Sequence, residues 1–267
     1  MQLTDIEREQ WQDQGYFIRE GVFSRGECNS LSAHATGIVD GEISFPDAHL
    51  DQDAKAVAKN DGRSGIYAMH KLHCPHLFNQ AFFDQQHHPR IVEPVSELIG
   101  PDLLGLQTLF IFKAPNLGLG FPWHQDKYYF DRFVTDTTVG TWQAIDDATI
   151  ENGCLWIIPG SHRGGLLKHD QPGQKSDSRQ VKDVDETNAI ALEMPAGSVL
   201  WFHSNLLHKS IANKTTGFRR CYVTHYLSST ATWLGKVRDV PIMWVRGDSH
   251  EGCVQPTCRE PAAEEDW

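Results

Sequence analysis

"FPWHQDKYYF", residues 121–130, is an aromatic, strand-like run that carries His124 and Asp126 two positions apart. On a β-strand, side chains at i and i+2 share a face. A ring nitrogen and a carboxylate on one face converge on one point, which is half of a metal site. This stretch therefore predicts β architecture around residue 124 and sends the search for the missing ligand elsewhere.

Outward from that run, the chain beyond about residue 102 is a series of short β-rich segments. They are "LLGLQTLFIFKAP" (103–115), "TVGTWQAIDDA" (138–148), "GCLWIIPG" (153–160), "AIALEMPAGSVLWFH" (189–203) and "RRCYVTHYLS" (219–228). Many short strands separated by Gly, Pro and Asn predict a sandwich or barrel. The N-terminal part reads differently. Thr4 with Glu7 and Ser24 with Glu27 have capping-box spacing, so a helix should start at each. "GYFIREGVF" (15–23) reads as a strand, and a helix should run from Pro89 to Ile99 before Gly100-Pro101 ends it. His87 and His88, just before that helix, read as surface residues. The expected fold class is mainly β with N-terminal helices. Residues 1–267 form one domain, with about 1–100 as helical support and about 102–235 as the core. Residues 43–65 read as a long loop, and His49 and Asp51 within it as a solvated decoy of the first motif. Residues 168–188 are a polar insertion of the length that lids and binding loops have. The chain after about residue 240 offers no signal.

Composition removes several classes of function. The 267 residues hold 24 Lys and Arg against 35 Asp and Glu, a formal net charge of −11. Nucleic-acid binding needs basic surface for phosphates, so it is not expected. No apolar run approaches the ~18 residues of a membrane span. The opening "MQLTDIEREQWQDQGYF" is too polar and acidic for a secretory signal, and "PAAEEDW" is not a peroxisomal tripeptide. Six scattered cysteines with no CxxC read as reduced thiols. A cytoplasmic protein acting on a small molecule is expected.

The missing ligand should be a histidine at a strand end, with something nearby to hold a co-substrate. "WFHSNLLHKSIANKTTGFRR" (201–220) offers His203 and His208. Eleven residues after His208 stands Arg219, with Ser210 between, and no other histidine has an arginine at that spacing. A hairpin would return Arg219 beside the histidine on a neighbouring strand. Two imidazoles and one carboxylate on one face of a metal mark non-haem Fe(II) oxygenases and leave positions open for O2 and a co-substrate. An arginine fork matches a carboxylate bidentately. Together these parts point to 2-oxoglutarate, with its distal carboxylate on Arg219 and Ser210. If the strand alternation continues, Tyr128 and Phe130 share the metal's side, Trp123 and Tyr129 face away, and Tyr128 is a substrate contact. His162, Arg163, Lys168 and His169 form a basic loop that either meets an anionic group or is simply solvated.

The sequence resembles the phytanoyl-CoA dioxygenase family of Fe(II)/2-oxoglutarate oxygenases. The resemblance runs from "GYFIREGVFSRGEC" (15–28) to about residue 230. It is carried most specifically by "PWHQDKYYF", "DATIENGCLWIIPGSHRGG" and "GSVLWFHSNLLHKSIANKTTGFRR". It implies a double-stranded β-helix, a cupin-like jelly roll, behind N-terminal helices. By that resemblance His124, Asp126 and His208 are the catalytic iron ligands. Arg219 and Ser210 bind the distal carboxylate of 2-oxoglutarate, Trp142 packs against it, and Lys71 lies near it. The implied cofactors are Fe(II), 2-oxoglutarate and O2, and the implied reaction is hydroxylation of an unactivated C–H with release of succinate and CO2. Halogenating relatives lack the carboxylate ligand, and Asp126 is present here. A non-catalytic or redox-neutral cupin-type metal protein is the alternative.

Overall fold

The computed structural model describes residues 2–52, 64–117, 120–130, 138–170, 179–234 and 241–263. In chain order the strands are β1 (Tyr16–Arg19), β2 (Leu50–Gln52), β3 (Met69–His73), β4 (Leu103–Lys113), β5 (Phe121–His124), β6 (Val139–Ala144), β7 (Leu155–Ile157), β8 (Ile190–Leu192), β9 (Val199–His203), β10 (His208–Ser210), β11 (Arg219–Ser228) and β12 (Met243–Arg246). The α-helices are α1 (Asp5–Gln14), α2 (Arg25–Val39), α3 (Gln80–Gln86) and α4 (Pro89–Ile99). The larger sheet has the order β1-β9-β6-β11-β4-β3-β2, with β12 also on β4, and the smaller has the order β5-β10-β7-β8. All these pairings are antiparallel.

The larger sheet is buried on both faces, and the residue alternation of its strands sorts the side chains. On β4 and β11, Phe110, Phe112, Tyr222 and Tyr226 join a core with the helix residues Leu31, Phe82 and Val95. Ile111, Cys221 and Val223 point the other way, into a second core with Leu155 and Ile157 of the smaller sheet. The cross-strand register keeps the two sets apart: Arg219 opposes Lys113, Cys221 opposes Ile111, and Val223 opposes both Leu109 and Trp142. The tyrosine hydroxyls do not disturb the apolar core, because each finds a helix carbonyl. Tyr222 donates to Phe82 O at 3.0 Å and Tyr226 to Gln86 O at 2.6 Å.

The helix starts are where their caps place them. In α1 the Thr4 hydroxyl accepts from Glu7 N at 3.2 Å while Glu7 accepts from Thr4 N at 2.7 Å. Ser24 and Glu27 repeat the arrangement for α2. Such a cap contributes about 1 kcal/mol by satisfying donors that the first turn leaves open. Gly15 ends α1 at φ +82, where an added Cβ would lie 2.4 Å from the His162 ring.

Several expectations need correction. Beyond the expected strand β1, the N-terminal hundred residues also supply β2 and β3, so they form both ends of the larger sheet. Residues 43–65 are not wholly loop, since β2 pairs with β3; residues 53–63 lie outside the described residues. Asp51 is therefore held in a strand, 3.3 Å from Lys71 Nζ and within ion-pair range of His70 and His73. His87 and His88 are half-buried: His87 bonds Phe83 O and Trp244 O, and the His88 ring caps α4 by accepting from Arg90 N. The tail carries a strand, β12, whose short mixed pattern gave no usable period. Among the described residues no helix is long and apolar enough to cross a membrane.

Candidate metal centre and co-substrate pocket

His124 ends β5, Asp126 follows two residues later, and His208 opens β10, the partner of β5 in the smaller sheet. The register places His208 directly opposite His124. Asp126 Oδ1 lies 3.5 Å from His124 Nε2 and 3.6 Å from His208 Nε2. Both rings are fixed by the same device. His124 Nδ1 faces Pro122 O at 2.8 Å, and His208 Nδ1 faces Leu206 O at 2.9 Å. A carbonyl can only accept, so each Nδ1 carries the hydrogen, and in the neutral ring each Nε2 turns its lone pair to the shared point. All three donors are buried. Burial, then the neighbouring His208, pushes His124 down to about 4, which keeps it a neutral ligand. Burial alone would raise the Asp126 carboxyl, but His208, His225 and His124 outweigh it and hold the group well below the usual carboxylate range. A carboxylate with two neutral imidazoles is a donor set that suits Fe(II).

The route to this convergence differs from the one the sequence suggested. The strand stops at His124, and Asp126–Phe130 is a short 3-10 helix, so pleat alternation does not carry past residue 124. Trp123 does face away, donating to Glu186 at 2.7 Å. Tyr129 does not: its ring stands edge-on to His124 with centroids 6.4 Å apart. Tyr128 stacks on His169 at 4.4 Å, and the Arg179 guanidinium lies over both tyrosine rings at 5.6 and 5.4 Å. Phe130 packs on His225.

The other end of the inter-sheet space holds Arg219 and Ser210. They are not joined by a hairpin within one sheet: β10 belongs to the smaller sheet and β11 to the larger, so the chain crosses the gap between them. Arg219 is 1% exposed, its Nη1 donates to Cys221 Sγ at 3.0 Å, and its Nε has no partner. Trp142 lies 5.5 Å from the guanidinium carbon. A cavity of about 80 Å³ connects this end to the metal donors, with Leu109, Ile111, Leu155, Phe202 and Val223 among its walls. Lys71 stands beside that cavity, opposite the wall residue Ile111, with its amine turned to Asp51.

Four buried residues of this region escaped the sequence reading. His225 Nε2 donates to Asp126 Oδ2 at 2.8 Å, which leaves Oδ1 for a metal. Gln125, between two of the donors, ties its side chain to Gly165 O, Asn205 O and Leu167 N. His169 does not lie in a solvated basic loop: it is 2% exposed and accepts from Gln125 N at 3.1 Å. Its former companions lie elsewhere, His162 bonding Gln12 O and Arg163 reaching Asp13. Lys113 is fully buried beside Arg219. The signal for His225 is period two, since it lies six residues after Arg219 on the same strand face; Lys113 has no such recognised neighbour on its own strand. Residues 171–178 of the insertion 168–188 lie outside the described residues.

Facing antiparallel sheets with a His-Asp-His group between them define the cupin-like class of non-haem iron oxygenases. The phytanoyl-CoA dioxygenase family model matches residues 11–221, and the chain belongs to that family. A probable phytanoyl-CoA dioxygenase of Caenorhabditis elegans is 29% identical over 235 residues, covering 84% of this chain and 75% of that protein. The human peroxisomal phytanoyl-CoA dioxygenase is 34% identical over 154 residues, covering 55% of this chain and 46% of that one. Among solved structures, the non-heme monooxygenase ThoJ superposes with a TM-score of 0.74 at 23% identity, covering 97% of this chain and 89% of its own. The epimerase SnoN, solved with Fe3+, alpha ketoglutarate and nogalamycin RO, gives 0.69 at 19% identity, covering 97% and 95%. These structural likenesses establish the shared fold. The donor set and the buried cations fit Fe(II) with 2-oxoglutarate and O2, the cofactors that the sequence implied.

Proposed function

We propose that this protein is an Fe(II)- and 2-oxoglutarate-dependent dioxygenase that hydroxylates an unactivated C–H of a small molecule. The observation that carries the reading is the pairing of a His-Asp-His donor set with a buried arginine at the far end of one small cavity. Fe(II) on those donors, with 2-oxoglutarate and O2, would supply the oxidising chemistry: the keto acid becomes succinate and CO2, and one oxygen atom enters the substrate. The chain's own part is binding, orientation and exclusion of water. His124 and His208 present Nε2 because backbone carbonyls hold their Nδ1–H, and His225 turns Asp126 so that Oδ1 faces inward. Arg219 and Ser210 take the distal carboxylate, with Trp142 along the chain of the co-substrate. Leu109, Ile111 and Val223 keep water from its methylenes. Tyr128 and Tyr129, with Arg179 above them, stand where a substrate would approach His124.

We read residues 1–267 as one oxygenase domain working in the cytoplasm on a small molecule, with no role for nucleic acid or membrane. Anaerobic addition of 2-oxoglutarate to the Fe(II)-loaded protein should raise a weak visible charge-transfer band. Aerobic incubation with small-metabolite pools should then release succinate. A redox-neutral metal protein of the same fold would turn over without O2, and that result would replace this reading. Product analysis separates hydroxylation from epimerisation or ring closure, which relatives of the same fold are named for.

A further inference from the structure

Lys113 ends β4 directly opposite Arg219 on β11, so two cations stand side by side on one sheet face. Both are buried, Lys113 at 0% exposure and Arg219 at 1%. Like charges directly across an antiparallel pair are unfavourable, and buried charges without partners more so. Among the described residues neither has a carboxylate within ion-pair distance. Lys113 Nζ donates to Ser210 Oγ at 2.8 Å and to Ile211 O. An ammonium has three N–H groups, so one is left. Because Ser210 Oγ accepts from Lys113, its own O–H is free to donate elsewhere. The Arg219 Nε also lacks an acceptor. Three donors thus remain on neighbouring residues, two of which, Ser210 and Arg219, line the cavity, and among the described residues no acceptor answers them.

The chain makes room for this ammonium. Gly153, in the "ENGCLWIIPGSH" stretch, has φ +88, and a Cβ there would lie 3.2 Å from Lys113 Nζ and 2.4 Å from Ile211 O. Asn152 holds the turn by accepting from Thr149 N and donating to Asp147 O. Burial first, and Arg219 second, push the Lys113 ammonium well below its usual range, as expected for a cation whose counter-charge is a ligand.

We propose that Lys113 is a second carboxylate-binding cation, which with Arg219 and Ser210 grips the distal carboxylate of the co-substrate and restricts the pocket to a dicarboxylic 2-oxo acid. This rests on the 2-oxoglutarate reading above. The test is calorimetric binding, without O2, of two probes to the Fe(II)-loaded protein. One is 2-oxoglutarate. The other is 2-oxopentanoate, which has the same chain without the distal carboxylate. Lys113→Met should weaken 2-oxoglutarate about 10- to 100-fold, the loss of a hydrogen-bonded charge, and leave 2-oxopentanoate within about 2-fold. Lys113→Gln keeps an N–H for Ile211 O and should give the same selectivity loss if the Met variant does not fold. Equal weakening of both probes makes Lys113 a structural residue and overturns the proposal, as does unchanged 2-oxoglutarate affinity. If the unmodified protein binds no 2-oxoglutarate, the function itself fails, whatever the variants do.

Discussion

The two faces of β11 do opposite work. Tyr222 and Tyr226 point toward the helices, and both of their hydroxyls end on a backbone carbonyl. Arg219 and His225 point toward the smaller sheet, where groups are left waiting. Among the described residues the two cations have no carboxylate within ion-pair distance at one end, and a carboxylate and two imidazoles converge at the other. The helix-covered face around these tyrosines is mainly apolar. The inter-sheet face is complete only with ligands whose charges are the reverse of its own. Substitutions on one face should therefore cost stability, and on the other ligand affinity and turnover.

The largest expected effect is on the inter-sheet side. Asp126→Ala removes the only acid of the donor set and should abolish succinate release; a fully active variant would break the metal assignment. On the helix side, Phe82→Ala empties a fully buried position packed against Phe110 and Tyr222. Urea unfolding should show a loss of about 3–5 kcal/mol. If that variant instead lost 2-oxoglutarate affinity at full stability, the division between the faces would be wrong. Arg219→Ala removes one partner of a desolvated charge pair, worth about 2–5 kcal/mol, so 2-oxoglutarate should bind about 30-fold more weakly or worse. Iron content measured on the same sample should not change. Tyr226→Phe leaves Gln86 O without its donor and should lower stability by about 1–2 kcal/mol with unaltered co-substrate affinity.

The smallest effect is a pH dependence on the helix-covered side. His76 is buried with Nδ1 at 2.8 Å from Thr108 Oγ1. Burial pushes it down from 6.5 to about 3. Between those values the unfolded chain takes up a proton that the folded chain refuses. Its contribution to stability therefore falls as pH falls through that window, by up to about 1.4 kcal/mol per unit. Chemical unfolding of the metal-free protein at pH 7 and pH 5.5 should show the loss, and His76→Asn should flatten it. An equally steep slope in that variant would assign the acid sensitivity to other groups.

Sequence by itself determined the local parts. Capping boxes set the starts of α1 and α2, because an N-cap bond closes within three residues. Short β-rich runs between Gly, Pro and Asn marked 103–113 and 219–228 as strands, because strand propensity and turn residues are local properties. The residue types and spacing of His124, Asp126, His208 and Arg219 carried the chemistry and the resemblance to the family. Tertiary structure decided what distant segments do to one another. It ended β5 at His124 and turned Tyr129 toward the metal donors, which no local period encodes. It put Arg219 across the gap from His208 instead of beside it. Only pairing between β4 and β11, about a hundred residues apart in sequence, set Lys113 against Arg219, and only packing of two sheets brought His225 to Asp126. Electrostatic need is a property of that burial: an arginine or lysine in sequence is merely basic, and becomes half of a binding site when the fold removes water and offers no acid in return.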